Sequence, residues 1–229
     1  MFMQDPTERI VHGVRIAMIR VARGLNRVSR GHIRPSHITL LSLLGHIPAA
    51  WALWTVRPYL AALLIAVFGL MDALDGALAR EQGSASKLGM FFDAVTDRLK
   101  EIMVYAGLGV FVYHHPAYFD KVGLWAIPAL AGTSILVSFV KAKGEMAIAE
   151  TTKDRQALNR QFSQGIARYE IRMSLLILGL LSGYLAPILN LLIALNLLTA
   201  AERFIEVAQR LSTEDKKQAT PKITHKKTS

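Results

Sequence analysis

The chain has 229 residues, 52% of them hydrophobic, a mean hydropathy of +0.31 and no cysteine. The apolar excess comes in long runs, which favours one polytopic membrane domain over a soluble one, and the missing thiols exclude a disulfide framework or a thiolate metal site. The formal charge of +10 does not describe a nucleic-acid module, because the cations flank apolar runs instead of forming a free basic patch with interleaved aromatics.

From Ile10 to Val28 the apolar residues Ile10, Val14, Met18, Val21, Leu25 and Val28 recur every three or four positions, with Arg9, Arg15, Arg20, Arg23, Arg27 and Arg30 between them. This predicts an amphipathic helix, either interfacial, with its arginines at anionic headgroups, or packed on its own protein. Repeated arginines and the lack of a compact apolar core argue against a removable signal peptide. Gly31 and Pro35 mark a break. Apolar runs then predict six transmembrane helices at about 38–56, 59–79, 88–113, 122–140, 171–185 and 187–208. Gly183 and Pro187 divide the last two.

Lys and Arg concentrate in the N-terminal arm, in the segments 80–100 and 141–172, and in the tail. The opposite connections carry only Arg57 and Lys121. Cytoplasmic loops collect such cations, so both termini are expected in the cytoplasm, which requires an even number of spans. The expected organisation is an amphipathic juxtamembrane segment (1–35), a six-helix membrane domain (36–210) and a basic flexible tail (211–229) with Lys216, Lys217, Lys222, Lys226, Lys227 and Pro221.

The residues that bear chemistry are Asp72, Asp75, Gly76, Ala79 and Arg80, followed after eight residues by Gly89, Asp93 and Asp97. Spacings of three and four put each aspartate pair on one helix face, and the intervening hairpin brings all four to one level. A carboxylate in an apolar span costs several kcal/mol unless paired or metal-bound. Hard oxygen donors without Cys or a close His pair favour Mg²⁺ or Mn²⁺ over zinc, and four carboxylates suffice for two ions. The bland alternative is ion pairing of the aspartates with Arg80, Arg98 and Lys100. Eight specified positions at fixed spacing arise by chance about once in 10¹⁰ starting points, which favours function.

These residues match D-x₂-D-G-x₂-A-R-x₈-G-x₃-D-x₃-D, and the chain thereby resembles the CDP-alcohol phosphotransferase family, closest to its phosphatidylinositol phosphate synthases. The resemblance implies an integral membrane homodimer that transfers a phosphatidyl-type group from a CDP-linked lipid to an acceptor alcohol and releases CMP. It also implies two divalent cations, Mg²⁺ or Mn²⁺, held by Asp72, Asp75, Asp93 and Asp97, with Asp97 as catalytic base. Thr39 (in Pro35-Ser-His-Ile-Thr39), Gly76, Ala79, Arg80 and Gly89 would bind the CDP-lipid. Ser138, Lys141 and Lys143 (in Ser138-Phe-Val-Lys141-Ala-Lys143), with Arg168 and Arg203, resemble the acceptor pocket of that subgroup. Lys143 stands where the subgroup has Arg, which removes a bidentate phosphate contact and leaves glycerol 3-phosphate or another polar alcohol beside inositol phosphate. The same cations also suit positive-inside anchoring. A membrane prenyltransferase and a divalent-cation transporter are rival readings. The first separates its aspartate motifs differently, and the second gives Gly76, Arg80 and Gly89 no role. His46, His114 and His115 are expected to be satisfied or interfacial histidines.

Overall fold

The computed structural model describes residues 6–123, 125–149 and 169–219, and among them every regular element is helical. In chain order they are α1 (Pro6–Ser29), α2 (Pro35–Trp54), α3 (Pro58–Glu81), α4 (Lys87–His114), α5 (Pro116–Val122), α6 (Ala126–Ala149), α7 (Tyr169–Ser182) and α8 (Leu185–Ala219). The fourth and sixth apolar runs differ most from expectation: α6 follows the separate α5 and extends to Ala149, and α8 continues to Ala219. Hydropathy fades before these helices end, but residues 141–149 and 209–219 contain no proline and many good helix formers. Gly183, with a φ of +76°, supplies the left-handed turn between α7 and α8 that a side chain would resist.

Among the described residues, four helices are long and apolar enough to cross a membrane, at 35–54, 58–81, 126–148 and 185–213. The other two expected spans differ for separate reasons. The 28-residue α4 carries Lys87, Asp93, Asp97, Arg98, Lys100 and Glu101 between its start and its middle, whereas α7 has 14 residues, about 21 Å at 1.5 Å per residue.

Apart from Ile38 and Leu53, α2 turns small and polar groups inward and large apolar ones outward. On α2, Thr39, Ser42, Gly45, His46, Ala49 and Ala52 are buried, while Leu40, Leu41, Leu44, Ile47, Trp51 and Trp54 are exposed. In water that distribution would leave a wide apolar surface unpaid for by burial; against lipid tails it is the favourable one, because close packing between helices, not exclusion of leucine from solvent, drives their association. Close approach is visible between α2 and α4, where a Cβ on Gly107 would lie 2.5 Å from the Ala50 carbonyl oxygen.

The functional end is organised around α2, against which both α3 and α4 pack. Helix α4 also meets α6, α3 meets α7, and α6 and α7 both meet α8. Helix α1 lies on α3: Met18, Ile19, Ala22 and Leu25 pack with Ile38, Ala77 and Leu78. Val14, Val21 and Val28 of its expected stripe remain exposed. Gln82 closes this corner, its side-chain amide donating to Asn26 Oδ1 at 3.0 Å and to the Ile33 carbonyl at 2.9 Å.

Candidate active site

Asp72 and Asp75 occupy the C-terminal part of α3, and Asp93 and Asp97 the first turns of α4. The start of α4 is fixed by Ser86, whose hydroxyl accepts the Gly89 amide at 3.0 Å and so satisfies a helix N–H that has no partner within the helix. Asp93 stands within electrostatic reach of Asp97, Asp75 and Asp72. The four carboxylates thus gather at one end of the bundle, as their spacing predicts.

Their immediate partners come from two directions. From α2, the Thr39 hydroxyl donates to Asp75 Oδ2 at 2.5 Å in a buried hydrogen bond. From α4, the wholly buried Lys100 ammonium lies 2.6 Å from Asp72 Oδ2 and 2.7 Å from Asp97 Oδ1. It therefore joins α3 to α4 across the site. Of the three cations weighed as structural partners, only Lys100 pairs with these aspartates among the described residues. Arg98 instead contacts Glu101 Oε2 at 2.5 Å and the Ser134 hydroxyl at 3.3 Å, and Arg80 is exposed.

The donor set suits a hard divalent ion: every candidate ligand is a carboxylate oxygen. Asp72 Oδ1 is buried without a hydrogen-bond partner, an oxygen left for a cation. The neighbouring Ser42 hydroxyl has one proton and gives it to the Phe68 carbonyl at 2.8 Å. In the present arrangement, however, no group of three or more such side chains among the described residues is set to hold an ion. Lys100 takes up oxygens of two of them.

Apart from Thr39, the residues expected to bind the nucleotide lie on the same two helices as the aspartates. Gly76 and Ala79 follow Asp75 on α3, and Arg80 Nη1, 3.6 Å from where a Cβ on Gly76 would stand, is the one atom within 4 Å of that position among the described residues besides the glycine's chain neighbours and its own helix backbone. A bulkier residue would fill this space. Gly89 is exposed at the start of α4.

The expected acceptor residues are dispersed. Ser138, Lys141 and Lys143 lie on α6; the Ser138 hydroxyl donates to the Ser134 carbonyl at 3.5 Å, Lys141 approaches Glu145 at 3.7 Å, and Lys143 is exposed. Arg203 of α8 is buried and donates from Nη1 to the Val137 carbonyl at 3.1 Å, one residue before Ser138, while its Nε has no hydrogen-bond partner. Arg168 lies outside the described residues.

A second buried network was not foreseen. Both oxygens of Glu101 are engaged: Oε1 by Arg172 at 2.8 Å through Nε and 2.7 Å through Nη2, Oε2 by Arg98 and, at 2.6 Å, by the Ser134 hydroxyl. It connects α4, α6 and α7 one residue beyond Lys100. Arg172, counted in sequence among the loop cations, is only 2% exposed. The histidines behave as expected in part: His46 is buried with Nδ1 2.8 Å from the Ser42 carbonyl, although its Nε2 has no hydrogen-bond partner, and His115 stacks on Tyr118.

Comparison with known proteins decides the family, for residues 32–207 match the CDP-alcohol phosphatidyltransferase model. The chain belongs to that family. As a CDP-alcohol phosphatidyltransferase with four helices apolar and long enough to span, it is an integral membrane protein. An archaetidylinositol phosphate synthase of Pyrococcus horikoshii is 32% identical over 124 residues, 51% of this chain and 66% of that protein. A phosphatidylinositol phosphate synthase of Mycobacterium tuberculosis is 32% identical over 126 residues, 55% of this chain and 56% of that one. These alignments span between about half and two thirds of the relatives' lengths. The crystal structure of the M. tuberculosis phosphatidylinositol phosphate synthase with CDP-DAG bound superposes with a TM-score of 0.67 at 25% identity, covering 83% of this chain and 92% of that one. A second crystal structure of that enzyme, in complex with manganese and citrate, gives a TM-score of 0.65 at 25% identity over 83% of this chain and 88% of that one.

Proposed function

We propose that this CDP-alcohol phosphatidyltransferase moves a phosphatidyl-type group from a CDP-linked lipid to the hydroxyl of a phosphorylated polar alcohol and releases CMP. Inositol phosphate is the first choice of acceptor and glycerol 3-phosphate the second. The observation that carries this reading is the convergence of Asp72, Asp75, Asp93 and Asp97 at one end of the bundle, with the Thr39 hydroxyl on Asp75. The inositol phosphate chemistry of the relatives supports the choice of acceptor.

Asp72, Asp75, Asp93 and Asp97 would hold two divalent cations, Mg²⁺ or Mn²⁺; the manganese complex of the mycobacterial neighbour supports this assignment. When bound, such ions polarise the diphosphate oxygens and neutralise the charge that develops on the CMP leaving group. Asp97 takes the proton of the acceptor hydroxyl as its oxygen bonds to the lipid-side phosphorus and the bond from that phosphorus to CMP breaks. Thr39 fixes the rotamer of Asp75 and supports the nucleotide end. Gly76, Ala79 and Gly89 keep space for the nucleotide beside the helices, and the Arg80 guanidinium reaches its diphosphate. Ser138, Lys141, Lys143, Arg168 and Arg203 supply hydrogen bonds and positive charge for the acceptor's phosphate.

The decisive experiment offers purified protein a CDP-lipid with Mn²⁺ and a panel of alcohols while released CMP is measured. Phosphorylated acceptors should be used preferentially, and Arg203→Ala should raise the KM for them roughly tenfold or more while leaving the KM for CDP-lipid nearly unchanged, as expected for loss of a charge-assisted phosphate contact. Pyrophosphate in place of CMP would point to a prenyltransferase. Equal use of free inositol, glycerol or serine, with Arg203→Ala indifferent, would remove the phosphate pocket from the assignment.

The cation distribution supports six spans, with 1–35 as a juxtamembrane segment, 36–210 as the catalytic domain and 211–229 as a basic tail. Both termini and the active site then face the cytoplasm. Because the chain has no cysteine, single introduced thiols report position cleanly. Thiols near either terminus should be labelled from the cytoplasmic side, and thiols near His115 or Gly183 from outside only. Labelling of the two termini from opposite faces would eliminate the six-span arrangement. A homodimer, the assembly the family resemblance suggests, is testable by light scattering of the detergent-solubilised protein.

A further inference from the structure

The metal-binding reading leaves Lys100 without a role. An ammonium is wholly buried between the outer two aspartates of the motif, 2.6 Å from Asp72 Oδ2 and 2.7 Å from Asp97 Oδ1. These two carboxylates belong to different helices, so the lysine neutralises both and ties α3 to α4. Its ammonium also lies 5.3 Å from the centroid of the Tyr169 ring. The Tyr169 hydroxyl is buried without a hydrogen-bond partner.

From this juxtaposition we infer that Lys100 is a resident cation of the active site, which a divalent ion must displace from Asp72 and Asp97 as it binds, with Tyr169 receiving the displaced ammonium. The inference rests on the proposed metal-site reading and adds a competitor to it. Like charges confined to one buried carboxylate cluster repel strongly because little water screens them. A divalent ion and an ammonium therefore cannot share the same two carboxylates without loss. Lys100 already neutralises two of the four carboxylates through one oxygen of each, so an ion that takes Asp72 and Asp97 as ligands meets this ammonium beside it. Tyr169 offers a ring face for a cation and a phenol oxygen able to accept an N–H bond. Displacement then ends with the lysine still partnered in the interior.

Manganese binding, followed by electron paramagnetic resonance on the purified full chain in detergent without substrate, tests the competition directly. Lys100→Met should bind Mn²⁺ at least tenfold more tightly than wild type. Lys100→Arg, which keeps a cation in place, should bind it no more tightly, and Tyr169→Leu, which removes the receiving group, should bind it more weakly. Thermal melting supplies a second measurement. Wild type should melt cooperatively in EDTA, whereas Lys100→Met should need Mn²⁺ to reach the same melting temperature, because the ion then performs the lysine's neutralising task. Equal or weaker Mn²⁺ affinity in Lys100→Met overturns the inference and leaves the metal site standing. Failure of that variant to fold even with Mn²⁺, while wild type folds in EDTA, also overturns it. Absence of Mn²⁺ binding in wild type and every variant would overturn the metal-site reading itself, and the competition with it.

Discussion

Asp97→Asn is expected to lower CMP release by about 10³-fold or more while the purified protein still binds CDP-lipid. General-base catalysis alone contributes about 10²–10⁴-fold, and Asp97 is also assigned as a metal ligand. Asparagine keeps the side-chain shape and an oxygen within reach of Lys100, but it neither carries the charge nor accepts a proton. Asp72→Asn and Asp75→Asn should behave differently, losing metal-dependent CDP-lipid binding together with turnover. Single-turnover CMP release and equilibrium CDP-lipid binding, measured on the same preparations with and without Mn²⁺, separate the two classes. Near-normal turnover by Asp97→Asn would strip that residue of its role, whereas loss of CDP-lipid binding alone in Asp97→Asn would assign it to the nucleotide side of the site.

The aspartate cluster was legible because its information is local. Spacings of three and four residues place each pair on one helix face, and the short connection after Glu81 returns the chain to the same end of the bundle. The resemblance to a known family rests on those residues. Helix positions were also legible from apolar runs and from Gly31, Pro35 and Gly183, each of which interrupts regular structure where the sequence places it. Helix ends were less so. Hydropathy measures what lipid tolerates, and a helix of alanine, glutamate and lysine continues past that limit, as α8 does to Ala219.

What the sequence did not reveal is pairing across helices. Lys100 was one of three equivalent cations near the aspartates, and only the register of α3 against α4 through α2 selects it over Arg80 and Arg98. Glu101 and Arg172 are 71 positions apart, so no local pattern joins them. Arg172 at the edge of an apolar run reads as a loop anchor, yet its guanidinium is turned inward. Arg203 shows the same ambiguity from the other side: a basic residue near the end of a span suits an anchor or a ligand pocket equally, and the structure buries it at the contact of α6 with α8.

The Glu101 network leads to the largest expected change in stability. Arg172→Met should destabilise the protein by about 3–5 kcal/mol, the cost typical of removing one partner from a buried ion pair, and lower its melting temperature by roughly 10 °C. Glu101 would keep Arg98 and Ser134 on Oε2 but lose both Arg172 contacts on Oε1, leaving a carboxylate oxygen in a site that is 2% exposed. Because this carboxylate connects α4, α6 and α7, the loss should loosen α7 first: its 14 residues make it, among the described residues, the shortest helix apart from α5. Hydrogen exchange should therefore rise in α7 before α2 or α3. The cause is separable from simple loss of side-chain volume. Adding Glu101→Gln to Arg172→Met removes a charge that has lost the partners of one oxygen and should recover part of the lost stability, since a neutral amide is cheaper to bury than a half-paired carboxylate and the partly exposed Arg98 can turn to solvent. A double variant no more stable than Arg172→Met would mean that packing around the arginine stem, not its charge on Glu101, holds α7 in place.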